Sequence, residues 1–215
     1  MDDFLFRGDL PEIDPDVAAL IDLEAIRQAK KLIMIPSEST VPLAVRQAVG
    51  SVFHNIYAEG YPPPHWRTMP EDELLNVDER LAELRRNSGK RYYQGTEIAD
   101  IIESLAKRRT AERFATSRYS ADNLYVNVQP LSGAPANSSV YTALLKPGDT
   151  LMGMDLIHGG HLTHGSPVAR SGLQYNVVSY GVDVETERLD YEQIMALALE
   201  HQPKIIVAGF TSYPW

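Results

Sequence analysis

The stretch from residue 125 to residue 165, YVNVQPLSGAPANSSVYTALLKPGDTLMGMDLIHGGHLTHG, decides the fold class of this chain. A β-branched and aromatic run at residues 125–128 predicts a strand, residues 136–145 an apolar helix, and Thr150–Met154 a second strand. Strands that alternate with helices indicate an α/β fold with a largely parallel sheet. Ligands of such folds gather at the carboxyl ends of the strands, where the loops of this stretch would lie.

Ser132, Gly133 and Ala134 form a turn just before the predicted helix. The first N–H groups of a helix lack intrahelical partners, and the helix dipole adds roughly half a positive charge there, so an anion is favoured. Ser132 can add a hydroxyl donor, and Gly133 lets the backbone approach a ligand closely. The spacing alone leaves open both a phosphate site and an ordinary helix cap.

The loop IHGGHLTHG carries His158, His161 and His164 at intervals of three residues. Three imidazoles can bind zinc, but the only nearby carboxylate is Asp155 and the chain contains no cysteine. The residues are equally compatible with turn histidines that hydrogen-bond to the backbone. A third interpretation is an imidazole that stacks on an aromatic cofactor ring, with the paired glycines leaving room for it.

Composition argues against several classes of protein. The 215 residues carry a net charge of −9, which repels nucleic acid, and the basic clusters lie in mixed-charge helical segments. No apolar run approaches the ~20 residues of a membrane span, and the first residues lack the basic start and long apolar core of a secretory signal. Because cysteine is absent, neither disulfides nor thiol chemistry is expected, and a cytoplasmic location is the default expectation.

The rest of the sequence predicts further elements. Helices are expected from Asp14-Pro15 to about Lys31, from a cap at Ser39 or Thr40 to Gly50, from a cap at Thr96 to about Phe114, and at Tyr191–His201. Strands are expected at residues 175–180 and 204–208. No helix follows the last strand, so we expect the N-terminal part of a longer protein; the alternative is a small domain with an edge strand.

A set of longer motifs then occurs in the order seen in one enzyme family: LIMIPSES, YAEGYP, GKRYYQGTE, NVQPLSGAPAN, GDTLMGMDLIHGGHLTHGSPV and KIIVAGFTSYP. From about Leu32 onward the chain resembles serine hydroxymethyltransferase, also called glycine hydroxymethyltransferase. The resemblance implies the aspartate-aminotransferase-like large domain of fold-type I pyridoxal 5'-phosphate (PLP) enzymes, a mostly parallel sheet with flanking helices. It also implies interconversion of serine and glycine, with tetrahydrofolate as the one-carbon carrier.

The resemblance gives the cofactor-binding residues. Ser132, Gly133 and Ala134 match the family's phosphate loop. His161 matches the residue that stacks on the pyridine ring and takes part in catalysis, and this match displaces the metal interpretation, so no metal site is expected. Thr211 matches a hydroxyl that contacts the phenolic oxygen of the cofactor.

Substrate residues follow in the same way. Ser37 in IPSES matches the serine that helps to hold the substrate carboxylate, and Tyr92 and Tyr93 match paired tyrosines beside the substrate, with Tyr93 expected to be catalytic. Tyr57 and Glu59 match residues that reach into the neighbouring subunit's site, where the tyrosine meets the phosphate and the glutamate handles protons. An obligate homodimer or higher oligomer is therefore expected.

Folate contacts are expected from Leu156, Gly160 and Leu162, which fall on positions resembling the family's folate-contacting wall. The resemblance further predicts an N-terminal helical arm at residues 1–56, followed by a PLP-binding large domain at residues 57–215 that is incomplete at its C-terminus.

The chain departs from the family pattern at two places. Residues 63–88 intervene between YAEGYP and GKRYY, and their Leu74, Leu81 and Leu84 predict a short amphipathic helix that adjusts folate access or dimer contacts. We refer to this segment as the insertion. Ser39 stands where the family usually has asparagine.

The family's lysine that binds PLP covalently lies beyond Trp215 in the usual order, together with its aspartate and arginine partners. The isolated 215-residue chain is therefore expected to be inactive. Two other functions remain open: a folate-independent aldolase that acts on β-hydroxy amino acids, and a non-catalytic protein that binds PLP or pairs with another subunit.

Overall fold

The computed structural model describes residues 8–87 and 89–215. Its helices, α1 to α9, span Leu10–Ile13, Pro15–Lys30, Leu43–Val49, Glu71–Leu74, Val77–Arg86, Glu97–Phe114, Gly133–Leu144, Arg170–Gln174 and Tyr191–His201. Its strands, β1 to β3, span Thr150–Met154, Asn176–Tyr180 and Ile205–Val207. Short 3₁₀ turns lie at Val52–Asn55, Pro64–Thr68, Ala121–Asn123, Leu156–His158 and Leu162–His164. Residues 1–7 of the predicted arm, and Ser88 at the end of the insertion, lie outside the described residues.

The chain divides into two compact units. The sheet unit comprises the residues up to Thr40 together with Pro147–Trp215, and the helical unit comprises Val41–Lys146. The predicted boundary at residue 56 between an arm and a larger domain remains a prediction.

The sheet unit is built on three parallel strands in the order β2-β1-β3. The central strand β1 has the sequence TLMGM and is buried from Leu151 to Met154, with Met152 aligned to Val178 on one side and to Ile206 on the other. A strand with neighbours on both edges is expected to be apolar in this way. The predicted parallel α/β arrangement is confirmed for the described strands.

The core of the sheet unit lies between this sheet and α9. Met152, Met154 and Tyr180 form its buried centre, and Ile194 and Leu197 of α9 pack against them. Asp190 caps α9 by accepting hydrogen bonds from the backbone N–H groups of the first turn at 2.9 and 3.0 Å. The strand β1 and the helix α9 thus match their predicted ranges residue for residue.

The N-terminal helix α2 also confirms its prediction. The Asp14 side chain accepts the N–H of Val17 at 3.0 Å, and Pro15 occupies the first helical position, where its missing N–H costs nothing. None of the residues of α2 is buried, so its apolar stripe is exposed to solvent. In the described part of the chain, no helix has the length and apolar character needed to span a membrane.

Two predictions were wrong in detail. Residues 125–128 form irregular backbone and not a strand, with Tyr125 84% exposed. A strand requires a hydrogen-bonded neighbour, and a run of β-branched and aromatic residues does not show whether one exists. The cap of α3 is Pro42 and not Ser39 or Thr40, although the helix ends before Gly50 as expected.

The insertion is more structured than the single helix that its leucines predict. It contains the 3₁₀ turn Pro64–Thr68 and the helices α4 and α5, which pack on α6. Trp66 and Leu74 are completely buried against Ile101 of α6, and Met69, Leu84 and Leu105 surround them. The insertion therefore supplies four of the six residues of this hydrophobic cluster, and its expected effects on folate access or dimer contacts remain predictions.

We expect the substitution Leu74→Ala to lower the free energy of unfolding of the helical unit by about 2–5 kcal/mol, because it leaves a cavity in a closely packed core. The neighbouring residue Leu75 is 45% exposed, so Leu75→Ala is the matched control and should have a much smaller effect. Urea unfolding followed by tryptophan fluorescence measures both variants, since Trp66 lies within the same core. Equal losses in the two variants would contradict the packing described here.

Candidate active site

The turn Ser132-Gly133-Ala134 lies at the start of α7. Ser132 has extended backbone, and its carbonyl accepts the first intrahelical hydrogen bond from the N–H of Ala136 at 3.1 Å. The N–H groups of Gly133 and Ala134 precede that bond and so lack a partner within the helix. The hydroxyl of Ser132 makes no capping hydrogen bond. This turn therefore presents two amide donors and a hydroxyl that does not cap the helix.

The surroundings of this turn suit an anion. A methyl group built on Gly133 would meet no heavy atom within 4 Å, and the first turn of α7 contains no acidic residue. Pro135 favours helical backbone at this position and has no N–H that would need a partner. The residues present therefore fit a phosphate group held by the Ser132 hydroxyl and the helix start.

The ring of His161 is held in one orientation by its own loop. Its Nδ1 accepts the backbone N–H of Thr163 at 3.1 Å and lies 2.9 Å from the hydroxyl of the same residue. Because this ring nitrogen accepts an N–H, the Nε2 edge of the ring is left to face other groups. His161 is half-buried. The loop therefore presents a planar ring in a fixed orientation, which suits stacking on a cofactor ring.

His164 and His158 have structural roles. The Nδ1 of His164 accepts the N–H of His161 at 3.2 Å, and burial, assisted by the neighbouring His161, lowers the pKa of His164. The Nδ1 of His158 accepts the N–H of Val182 at 3.0 Å. Within residues 8–87 and 89–215, no three His, Cys, Asp or Glu side chains are grouped so that they could hold a metal ion. The Nδ1 atom of each of the three histidines thus accepts a backbone N–H.

Thr211 docks on the same loop. Its N–H donates to the carbonyl of Gly159 at 2.7 Å, and the N–H of Ser212 donates to the same oxygen at 3.2 Å. Gly159 has a φ of +107°, and a side chain there would press on the backbone of Ser212 and Tyr213 at 3.2 Å. Glycine at this position lets the TSYP segment lie against the HGGH loop. The structure therefore brings Thr211 and the loop of His161 together within the sheet unit.

The expected folate residues lie in this loop but differ in exposure. Leu156 and Leu162 are 46% and 45% exposed, so both offer apolar surface to a ligand. Gly160 is buried, and a Cβ there would lie 2.0 Å from the carbonyl oxygen of Met154 at the end of β1. The structure thus gives Gly160 a packing role, and folate contact by these residues remains a prediction.

In the helical unit, the YAEGYP and RYYQG segments lie side by side. The rings of Tyr57 and Tyr93 have their centroids 5.6 Å apart, and the N–H of Tyr92 donates to the carbonyl of Glu59 at 3.0 Å. All four of these residues are exposed to solvent. The insertion separates the two segments in the sequence, but the fold places them next to each other.

The residue that joins these segments is Arg91, which sequence reasoning missed. Its Nη1 donates to the carbonyls of Ala58 and Gly60, the latter at 3.2 Å, on either side of Glu59. Its Nε donates to Asp100 at 2.7 Å and its Nη2 to Glu103 at 2.8 Å, both on α6. The sequence does contain a signal for it. Arg91 in GKRYY is followed by Asp100 and Glu103, which are three residues apart and therefore lie on one face of the predicted helix.

The two carboxylates bound by Arg91 have pKa values that are shifted in opposite directions. Burial raises the pKa of Asp100 despite its hydrogen bond from Arg91, and repulsion from Glu103 and Glu97 adds to this effect. Burial also opposes ionisation of Glu103, but hydrogen bonds from Lys107 and Arg91 outweigh it, so the pKa of Glu103 is lowered. Asp100 is therefore the carboxylate of this cluster that depends most on Arg91, because Glu103 is also bound by Lys107.

Gln129 extends this connection towards the phosphate turn. Its side-chain amide donates to the carbonyl of Gly60 at 2.8 Å and to Glu103 at 3.1 Å. Gln129 lies three residues before Ser132, in the QPLSG segment. The backbone around Glu59 is thus linked to the segment that leads into α7.

Ser37 is not joined to these groups. It lies exposed in a turn in which the N–H of Glu38 donates to the carbonyl of Ile35 at 3.0 Å. No hydrogen bond among the described residues connects Ser37 to the HGGH or TSYP segments. Its contact with the substrate carboxylate stays a prediction.

The chain matches the family model described as serine hydroxymethyltransferase over residues 10–88 and again over residues 78–215. This chain belongs to the serine hydroxymethyltransferase family. The two matches overlap at residues 78–88, at the end of the insertion. Serine hydroxymethyltransferases are fold-type I PLP transferases that use tetrahydrofolate and form oligomers, and the parallel α/β sheet of this chain is consistent with that fold.

We expect Arg91→Met to lower the free energy of unfolding by about 3–5 kcal/mol, because it leaves Asp100 buried without its cation. The deficit should shrink as the pH falls. Without Arg91 the pKa of Asp100 in the fold rises further above its unfolded value, so the folded state binds a proton that the unfolded state releases. Urea unfolding at several pH values measures both effects.

The matched control for this substitution is Arg109→Met. Arg109 also forms an ion pair with a glutamate, Glu71, but both side chains are well exposed, at 59% and 37%. Exposed pairs contribute little to stability, so this variant should unfold much like the unmodified chain. A deficit in Arg109→Met as large as that in Arg91→Met would refute the special position of Arg91.

Proposed function

We propose that this chain takes part in the PLP-dependent interconversion of serine and glycine, with tetrahydrofolate carrying the one-carbon unit, in a homodimer or higher oligomer. The observation that carries the proposal is the serine hydroxymethyltransferase match, which extends across both the Ser132 turn and the histidine loop. The geometry of these two elements supports the individual roles below.

Ser132, Gly133 and Ala134 are proposed to bind the cofactor phosphate. Their support is the helix start of α7, where amide donors, a hydroxyl and open space coincide without a competing carboxylate. His161 is proposed to stack on the pyridine ring, and its bond from Thr163 supports a fixed ring plane. The Thr211 hydroxyl is proposed to meet the phenolic oxygen, since its backbone is fixed on Gly159.

When bound, PLP supplies an electron sink for the bond broken at the Cα atom of the amino acid. Glu59 is proposed to accept and return the proton of the serine hydroxyl oxygen. A general acid or base needs a fixed position within hydrogen-bond reach of that proton. Arg91 and Gln129 hold the carbonyls beside Glu59, so its carboxylate extends from an immobilised backbone.

The remaining residues are proposed to contact the cofactor or the substrates. Tyr57 would contact the phosphate of the PLP bound by a neighbouring subunit. Tyr92 and Tyr93 would line the amino-acid site, with Tyr93 close to the reacting atoms. Ser37 would hold the substrate carboxylate. The exposed side chains of Leu156 and Leu162, with Gly160 between them, offer an apolar wall for the folate ring system.

The reaction is tested by measuring glycine formed from serine by the native protein, with and without tetrahydrofolate. We expect glycine formation to require tetrahydrofolate, and Glu59→Gln to slow it by about 10²-fold or more while PLP affinity is retained. Glycine formation without folate would instead indicate an aldolase that acts on β-hydroxy amino acids. If the protein binds PLP but forms no glycine either with or without tetrahydrofolate, it is a non-catalytic binding protein.

The phosphate site has a separate test in Ala134→Asp. A carboxylate at a helix start is stabilised by the helix dipole, so the thermal stability should not fall. The same carboxylate repels the cofactor phosphate and competes for the amide donors, so PLP affinity should fall at least about tenfold. Ala134→Ser is the control, because it adds an oxygen of similar size without charge. Fluorescence titration with PLP measures affinity, and unchanged affinity in Ala134→Asp would disprove the assigned phosphate site.

A further inference from the structure

A second cleft lies in the helical unit, apart from the residues assigned to PLP, serine or folate. Residues 61–64 and Arg67 form one side, Ser104, Lys107 and Ala111 of α6 form another, and residues 124–127 close it. We call it the proline cleft, because three consecutive prolines line it. Its volume of about 460 Å³ falls within the range of small-molecule sites.

The walls of the proline cleft favour a flat apolar molecule. The rings of Tyr61 and Tyr125 line it together with the prolines, and Ala111 leaves space where a larger side chain would fill it. Tyr125 is 84% exposed, which leaves its ring open to a ligand. Aromatic and proline surfaces of this kind stack on planar rings.

The charged residues that line the cleft are cations, although the net charge of the chain is −9. Its lining includes Arg67 and Lys107 but neither aspartate nor glutamate. The guanidinium of Arg67 lies 4.3 Å from the ring centroid of Tyr125, and the ammonium of Lys107 lies 5.3 Å from that of Tyr61. Each cation therefore stands beside an aromatic wall.

Arg67 is the stronger candidate to bind an anion. Its Nη1 donates to the backbone carbonyls of Asp122 at 2.7 Å and Leu124 at 3.3 Å, which are neutral acceptors. No carboxylate among the described residues forms an ion pair with Arg67, whereas Lys107 is paired with Glu103. These bonds position the guanidinium, and its Nη2 and Nε groups donate to no other described residue, so they keep donors that match a carboxylate.

We propose that the proline cleft binds a small planar aromatic carboxylate, with its ring against the tyrosine and proline walls and its carboxylate on Arg67. Residues 63 and 64 and Arg67 belong to the insertion. The site is thus a property of this chain's departure from the family pattern, and it is separate from the PLP chemistry.

The test uses 2-naphthoate as the probe and isothermal titration calorimetry on the purified chain. We expect saturable binding at one site per chain. The neutral analogue 2-naphthalenemethanol, with the same ring system, should bind about tenfold more weakly, because it lacks the charge-assisted hydrogen bonds to Arg67. Absence of saturable binding, or equal affinity for the two probes, overturns the proposal.

Variants identify the site. Arg67→Met should weaken 2-naphthoate binding by about tenfold or more and leave the affinity for the neutral probe nearly unchanged. Arg118→Met is the matched control, since Arg118 also stands over a tyrosine, Tyr119 at 5.2 Å, outside the cleft. Equal weakening by both substitutions would show that general charge, and not the cleft, attracts the probe.

A second variant keeps the test decisive if Arg67→Met does not fold, as judged by circular dichroism. Tyr125→Leu removes a stacking wall at a largely exposed position and should weaken both probes several-fold. Unchanged affinity for both probes in a folded Tyr125→Leu protein would overturn the assignment to the proline cleft.

Discussion

The helical unit depends on the burial of one guanidinium group, that of Arg91. Its side chain is 2% exposed, and it joins two carboxylates of α6 to two backbone carbonyls of the YAEGYP segment. Removing such a charge from water is costly, and the cost is offset only when its donors are used. The planar guanidinium meets this condition, because its fork of donors reaches four acceptors at once, which a lysine could not do.

The candidate active-site residues are held by backbone hydrogen bonds more than by side-chain packing. His161 takes its orientation from the Thr163 N–H, Thr211 is fixed by Gly159, and Glu59 lies between carbonyls bound by Arg91. In each case the backbone is immobilised while the reactive group remains accessible. This arrangement suits a family that must bind a cofactor and two substrates, because the protein pays the cost of ordering these loops when it folds.

The sequence correctly predicted those helices and strands whose formation depends on residues close together in the chain. The ranges of β1, α6 and α9 match because the apolar pattern that sets each of them lies in residues close together in the sequence. The strand expected at residues 125–128 failed because strand formation depends on a partner elsewhere in the chain. Arg91 was missed for the same reason: its acceptors Ala58 and Asp100 are distant in sequence from one another, and only the fold makes them neighbours.

The candidate site was predictable where a motif carries its own geometry. The Ser132 turn precedes a helix in the sequence as in the structure, so its anion-binding character could be read directly. The histidine loop was ambiguous, because spacing alone does not reveal which backbone N–H each ring nitrogen accepts. The resemblance to a known family supplied the proposed roles, and the hydrogen bonds from Thr163 and Val182 show how the rings of His161 and His158 are held.

The contact between Gly60 and Lys90 explains how this chain accommodates the insertion. A side chain on Gly60 would lie 2.6 Å from the carbonyl of Lys90, so the chain leaves the motif and returns to it at nearly the same position. Loops whose ends already meet can lengthen at small entropic cost, since that cost grows only with the logarithm of their length. The junction therefore lets the chain carry additional structural elements between the YAEGYP and RYYQG segments while the residues on both sides keep their positions.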